Sequence, residues 1–202
     1  MREGGRRIVV SLEQRRLWLL DGESAVFSAP VAIGSGHTFT YGDRSWTFDT
    51  PRGRREVLDK AVDPLWVPPD WHYLEKAVAR GLEPVFLETG QRVGLSDSTF
   101  LEVGGGQVGR WNRFGNFWPF TPGAEIIFDG KIFVPPFGTA QRRIPDVLGT
   151  RKLVLGDGYL IHGTYEEESI GEAASHGCVR LTNPAVERLY EIVGVATPVF
   201  IY

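Results

Sequence analysis

Only one of the 202 residues is a cysteine. A single thiol cannot close an internal disulfide, so neither a disulfide scaffold nor a redox compartment can be read from it. Long apolar runs are also missing, and none approaches the roughly 20 residues a membrane-spanning helix needs. No transmembrane segment is expected. The opening MREGGRRIVV has basic residues but no apolar stretch and no small-residue cleavage pattern, so it does not read as a secretory signal. A cytoplasmic chain and a chain whose signal has been removed both fit. Charge of one sign is lacking too: the formal net charge is -3, with Lys and Arg scattered rather than striped. That leaves no electrostatic case for a nucleic-acid partner.

What the chain has in quantity is glycine, 25 residues, and proline, 13, with few stretches of helical period. These favour a mostly-β fold with short helices. RRIVVSLEQRRLWLLDGESAVFSAPVAIG reads as apolar runs broken at DGES and SAP, an opening hairpin followed by a third strand. IIFDGKIFV and KLVLGDGYLIHG each place Asp-Gly between two apolar runs, the strongest short-range hairpin signal. VGGGQVG is not followed by Gly-Lys-Ser/Thr, so it is a turn rather than a phosphate loop. WHYLEKAVAR, with Leu74, Ala77 and Val78 at helical spacing and Gly81 as a stop, predicts one helix. NPAVERLYEIVG predicts another, with Asn183 as N-cap, Pro184 at the first position and Gly194 at the end. TPVFIY predicts a closing strand, and RWNRFGNFWPF the core packing of an inserted hairpin, with a flap over a cleft as the alternative reading.

The one cysteine, Cys178, stands in SHGCVR. A lone cysteine is usually a small buried hydrophobe. A nucleophilic one needs a base, a group that orients the base, and donors for the oxyanion formed on attack. Of the four histidines, His162 ends the apolar run YLI sixteen residues upstream, where a strand would deliver it to the sheet edge. Gly177 permits a tight turn, so the amides of Gly177 and Cys178 are candidates for an oxyanion hole. Zinc bound by His162, His176 and Cys178 is the competing reading, but no fourth ligand stands out. His37 and His72 lack any partner pattern. Glu166 to Glu168 read as a solvated charge run, or as an attractor for an incoming ammonium.

IHGTYEEESIGEAASHGCVRLTN closely resembles the signature of the L,D-transpeptidase catalytic domain (YkuD-like) family, which pairs His-Gly-Thr with a downstream Ser-His-Gly-Cys-Val-Arg. The N-terminal strands, FDTPRG and DPLWVPP are similar to the family's earlier blocks, whereas residues 82–145 match nothing in it and read as an insertion. The resemblance implies a YkuD-like β-sandwich spanning 1–202 as a single catalytic domain. It implies a peptidoglycan L,D-transpeptidase that moves an acyl group from a tetrapeptide stem to an amine acceptor. Cys178 is then the nucleophile and His162 the general base and acid, oriented by a backbone carbonyl because Gly163 has no side chain. Gly177, His176 and Ser175 would form the oxyanion loop, and Arg180, Gly163 and Thr164 would contribute to substrate binding or shape. The expected partners are stem peptides and carbapenem-type inhibitors, with no metal or organic cofactor, in the periplasm or cell envelope. L,D-carboxypeptidase or D-amino-acid exchange activity, another cysteine amidase, and a non-catalytic wall-binding module are the alternatives.

Overall fold

In the opening strands Ile8, Val10, Leu17 and Leu19 alternate inward and are completely buried, while Arg7, Val9, Arg16, Trp18 and Leu20 between and beside them are only partly buried. This period of two makes β1 (Arg6–Ser11) and β2 (Arg16–Asp21) an antiparallel pair, extended by β3 (Ser24–Pro30). The computed structural model describes residues 5–202, so the first four residues of the N-terminal stretch weighed above as a signal lie outside the described residues. The break between β1 and β2 is at 12–15, with Arg15 at φ 48°, in addition to the expected Asp21-Gly22 turn. The break expected at SAP falls at its proline: Ser28, Ala29 and Pro30 are the last three residues of β3, and the next strand starts at Ile33. The strand can end on Pro30 because β3 is the edge strand of its sheet. Short segments follow: β4 (Ile33–Gly34), the hairpin of β5 (Thr38–Tyr41) and β6 (Arg44–Thr47), then β7 (Gly53–Glu56) and β8 (Asp59–Val62).

Residues Leu65–Pro145 form a compact unit of their own. It holds α1 (Asp70–Arg80), β9 (Glu83–Phe86), β10 (Arg92–Gly94), β11 (Phe100–Gly104), β12 (Gln107–Trp111), β13 (Phe117–Pro119), β14 (Ile126–Phe128) and β15 (Lys131–Val134). Helix α1 ends on Gly81 in the left-handed conformation, as its sequence predicts, but buries Tyr73, Leu74 and Ala77 and leaves Val78 exposed. Asp129 and Gly130, both at positive φ, close the β14–β15 hairpin. The aromatic stretch departs from the packing expected of it. Trp111 and Phe117 meet as a tilted pair across β12 and β13, while Phe114 and Trp118 stay exposed.

The flanking unit resumes with β16 (Arg151–Gly156), β17 (Tyr159–Thr164), β18 (Ala173–Ser175), β19 (Val179–Thr182), α2 (Asn183–Ile192) and β20 (Pro198–Ile201). Its two larger sheets run β3-β2-β1-β20-β7 and β19-β17-β16-β8. Ile8, Val10, Leu17 and Leu19 of the first share one apolar core with Leu153, Ile161, Val179 and Leu181 of the second, and Val186 and Leu189 of α2 complete it. The fold is thus mostly β with, among the described residues, two short α-helices, as expected. Helix α2 begins at Asn183 but is preceded by Thr182 at the cap position, because the Asn183 side chain is used elsewhere: its Oδ1 accepts the Thr150 N–H.

Candidate active site

Strand β17 carries His162 and β19 follows Cys178, and the two strands pair in parallel. The register sets Ile161 opposite Val179 and His162 opposite Arg180. Alternation sends Ile161, Val179 and Leu181 into the core, so His162 and Arg180 share the opposite face. One step before β19, Cys178 falls level with Leu160 and on that same face. Cys178 Sγ lies 3.9 Å from the Gly158 carbonyl, and the Leu160 backbone is near enough to the thiol to pull its pKa down. Thiol and imidazole are therefore brought to one face of one sheet, two residues apart in register. His162 sits in an interior strand, not at a sheet edge: β17 continues through Gly163 and Thr164, which pair with Leu181 and Thr182.

His162 is 3% exposed, and its Nδ1 lies 2.6 Å from the Gly163 carbonyl. A carbonyl only accepts, so Nδ1 carries the proton and Nε2 is the basic nitrogen. The orienting group is thus a backbone carbonyl. Burial lowers the imidazole pKa to about 4; the Gly163 and Leu148 carbonyls pull it back up in part, while Arg180 adds to the lowering. Burial raises the Cys178 thiol to about 11, against smaller opposing pulls from the Leu160 N–H and Arg180. Both shifts favour the uncharged forms of thiol and imidazole at neutral pH.

The loop before Cys178 is held from two sides. Ser175, 2% exposed, accepts the Gly177 N–H at 3.1 Å and donates to the Cys178 carbonyl at 2.6 Å. Thr50 accepts the Gly34 N–H at 2.7 Å and donates to the Gly177 carbonyl at 2.9 Å. Gly177 has φ +117°, and a Cβ there would press on the Asp49 carbonyl and the Tyr159 ring, both at 3.0 Å, so glycine is required. The Gly177 amide, expected to face an oxyanion, is instead engaged inside the loop. His176 is exposed, its ring edge-on to Phe48 at 4.4 Å between centroids.

Arg180 is paired with Glu166 at 3.1 Å, so the first residue of the acidic run is an ion-pair partner, while Glu167 and Glu168 stay exposed. Gly163 and Thr164 are buried. A Cβ on Gly163 would collide with Asn183 Oδ1 and lie 3.0 Å from Val186 Cγ1, and the Thr164 hydroxyl accepts the Glu166 N–H at 3.0 Å. Neither turns a side chain to solvent. His37 is exposed and His72 lies on α1 among Trp66, Trp71 and Tyr73. Among the described residues no three His, Cys, Asp or Glu side chains gather as metal ligands, and no helix is long and apolar enough to cross a membrane. Thr50 was missed from sequence. It sits in FDTPRG, whose Asp-Thr-Pro reads locally as a turn and says nothing of a contact 127 positions away.

A search of curated proteins finds "Probable L,D-transpeptidase YbiS" of Escherichia coli (strain K12), 33% identical over 118 residues, 52% of this chain and 38% of that protein. Among solved structures, an L,D-transpeptidase from Xylanimonas cellulosilytica superposes with TM-score 0.52 at 16% identity, covering 99% of this chain and 61% of that one. The avibactam carbamoyl form of an enzyme abbreviated Ldtfm gives TM-score 0.51 at 14% identity, covering 100% and 49%. This chain thus spans less than two thirds of the length of each. The family model for the L,D-transpeptidase catalytic domain (YkuD) matches residues 5–201, from the first strand to the last. With nearly the whole chain inside that match, the protein belongs to the L,D-transpeptidase catalytic domain family.

Proposed function

We propose that this chain is the catalytic domain of a peptidoglycan L,D-transpeptidase of the cell envelope, with Cys178 as nucleophile and His162 as general base and acid. The observation that carries the reading is the β17–β19 register, which sets a thiol and an imidazole with a committed Nδ1–H on one face of one sheet. We take residues 82–145, which lie within the compact unit Leu65–Pro145, as an insertion in that catalytic fold.

The reaction starts from neutral partners. As Sγ attacks the carbonyl carbon of the L-centre residue of a donor stem, its proton passes to His162 Nε2, and the carbonyl π electrons move onto oxygen. A concerted transfer is needed because a thiol near 11 beside an imidazole near 4 does not ionise beforehand. Collapse of the tetrahedral species breaks the bond to the D-amino acid, whose nitrogen takes the proton from Nε2. The thioester on Cys178 is then attacked by an acceptor amine, which gives its proton to Nε2. The C–S bond breaks, an amide forms and the thiol is restored. The carbamoyl enzyme of the structural relative is a comparable acyl species. A carbapenem offers a strained amide for the same attack.

Mass spectrometry after carbapenem treatment tests the reading: one stable adduct is expected on the wild type and none on Cys178→Ala. A folded, reduced wild type without an adduct would overturn it. On a disaccharide-tetrapeptide, dimeric product marks transpeptidation and tripeptide marks hydrolysis.

A further inference from the structure

All but one of the backbone polar groups of Gly177 and Cys178 outside the β19 ladder are engaged. The Gly177 N–H goes to Ser175 Oγ, the Gly177 carbonyl takes the Thr50 hydroxyl proton, and the Cys178 carbonyl takes that of Ser175. These directions are forced. Thr50 Oγ1 already accepts from the Gly34 N–H, so its own proton is committed to Gly177, and Ser175 is constrained in the same way by the Gly177 N–H. Of these four groups, only the Cys178 N–H has no acceptor among the described residues. In a trans peptide the C=O and N–H point in opposite directions. Holding the Gly177 carbonyl toward Thr50 therefore turns the Cys178 N–H away from Thr50.

Thr50 is well placed for this. It is 7% exposed, and Pro51 restricts its backbone to the extended region. Gly34, whose N–H it takes, lies so close to residues 48–50 that a Cβ would collide with the Phe48 carbonyl, so the two segments cannot slide apart without breaking close packing. The hydroxyl is thus anchored on one rigid segment and grips the loop of another.

We propose that Thr50 is a positioning residue for acyl transfer at Cys178. Its hydroxyl locks the 177–178 peptide so that the Cys178 N–H is the loop's donor to the oxyanion, while Ser175 withholds the Gly177 N–H from that task. The inference rests on Cys178 being the nucleophile. It revises the expected pair of loop amides to one, and adds a residue from the far N-terminal half of the chain.

The test compares two reactions of the same sulfur. Carbapenem acylation builds negative charge on a carbonyl oxygen, whereas iodoacetamide alkylation expels iodide and forms no oxyanion. Thr50→Val, near-isosteric but without the hydroxyl, is expected to slow acylation roughly ten- to hundredfold and to leave alkylation within about twofold, with KM for a muropeptide donor falling less than kcat. Thr50→Ser is expected to restore acylation to within about threefold of the wild type. Equal loss in both reactions, or no loss in either, overturns the proposal. Should Thr50→Val fail to fold, as seen by circular dichroism, Thr50→Ser and Thr50→Ala measured in the same way replace it. Amide hydrogen exchange gives a reading that does not depend on turnover: Thr50→Val should speed exchange at Gly177 while the β17 and β19 amides stay protected. A wild type that is alkylated but never acylated would sink the functional reading, and the exchange data would still decide whether Thr50 holds the loop.

Discussion

His162 and Arg180 are direct partners on neighbouring parallel strands, so a buried imidazole lies beside a guanidinium that is itself paired to Glu166 at 3.1 Å. The positive charge opposes protonation of the ring and adds to the effect of burial. Replacing Arg180 by Gln removes that opposition, and the His162 pKa is expected to rise from about 4. An NMR titration of the imidazole checks this, and an unchanged or lower value would refute it.

Acid sensitivity follows from the same ring. Unfolded, His162 takes up a proton near 6.5, whereas folded it stays neutral down to about 4. Between those values the unfolded chain binds more protons, so stability rises with pH across this window and is lost as pH falls through it. The contribution is roughly 3 kcal/mol. In urea melts from pH 7 to pH 4, His162→Gln should show a shallower decline than the wild type; parallel curves would count against the assignment.

Alkylation of Cys178 should show no activated thiolate. With the thiol raised to about 11, the iodoacetamide rate is expected to climb nearly tenfold per pH unit through neutrality, without a plateau. A plateau with its midpoint at or below pH 7 would mean an ion pair at rest and would remove the argument for concerted proton transfer.

Gly163→Ala tests close packing behind the base. A Cβ there meets Asn183 Oδ1 and Val186, at the point where β17 lies against α2. The expected cost is about 1–3 kcal/mol, measured by denaturant unfolding. Gly94→Ala, where a Cβ has open space, is the control and should cost less than 1 kcal/mol. Equal effects at both positions would show that the crowding is unimportant.

Several local features were legible because their causes are local. The Asp-Gly hairpins depend on two residues at positive φ, and Gly81 ends α1 through its own left-handed conformation. The exposure of Val78 and the use of the Asn183 side chain were not legible, for the opposite reason. Helical spacing does not say which way a helix is turned against its neighbours, and Asn183 serves the Thr150 N–H across a gap of 33 residues rather than its own helix. The exposed Phe114 and Trp118 mislead in the same way, since an aromatic-rich stretch does not declare which of its rings will be covered.

By itself the sequence determined the mostly-β class, the family signature and the two residues proposed for the chemistry, because residue type, spacing and turn chemistry are properties of short stretches of chain. The tertiary structure alone decided the state and setting of that pair. Desolvation lowers the His162 pKa and raises that of the half-buried Cys178, which favours the neutral form of each. The parallel register puts Arg180 beside the base. A hydrogen bond spanning 127 positions gives Thr50 its hold on the nucleophile's loop. Desolvation, register and long-range contacts arise only when distant segments meet, so no local stretch of sequence carries them.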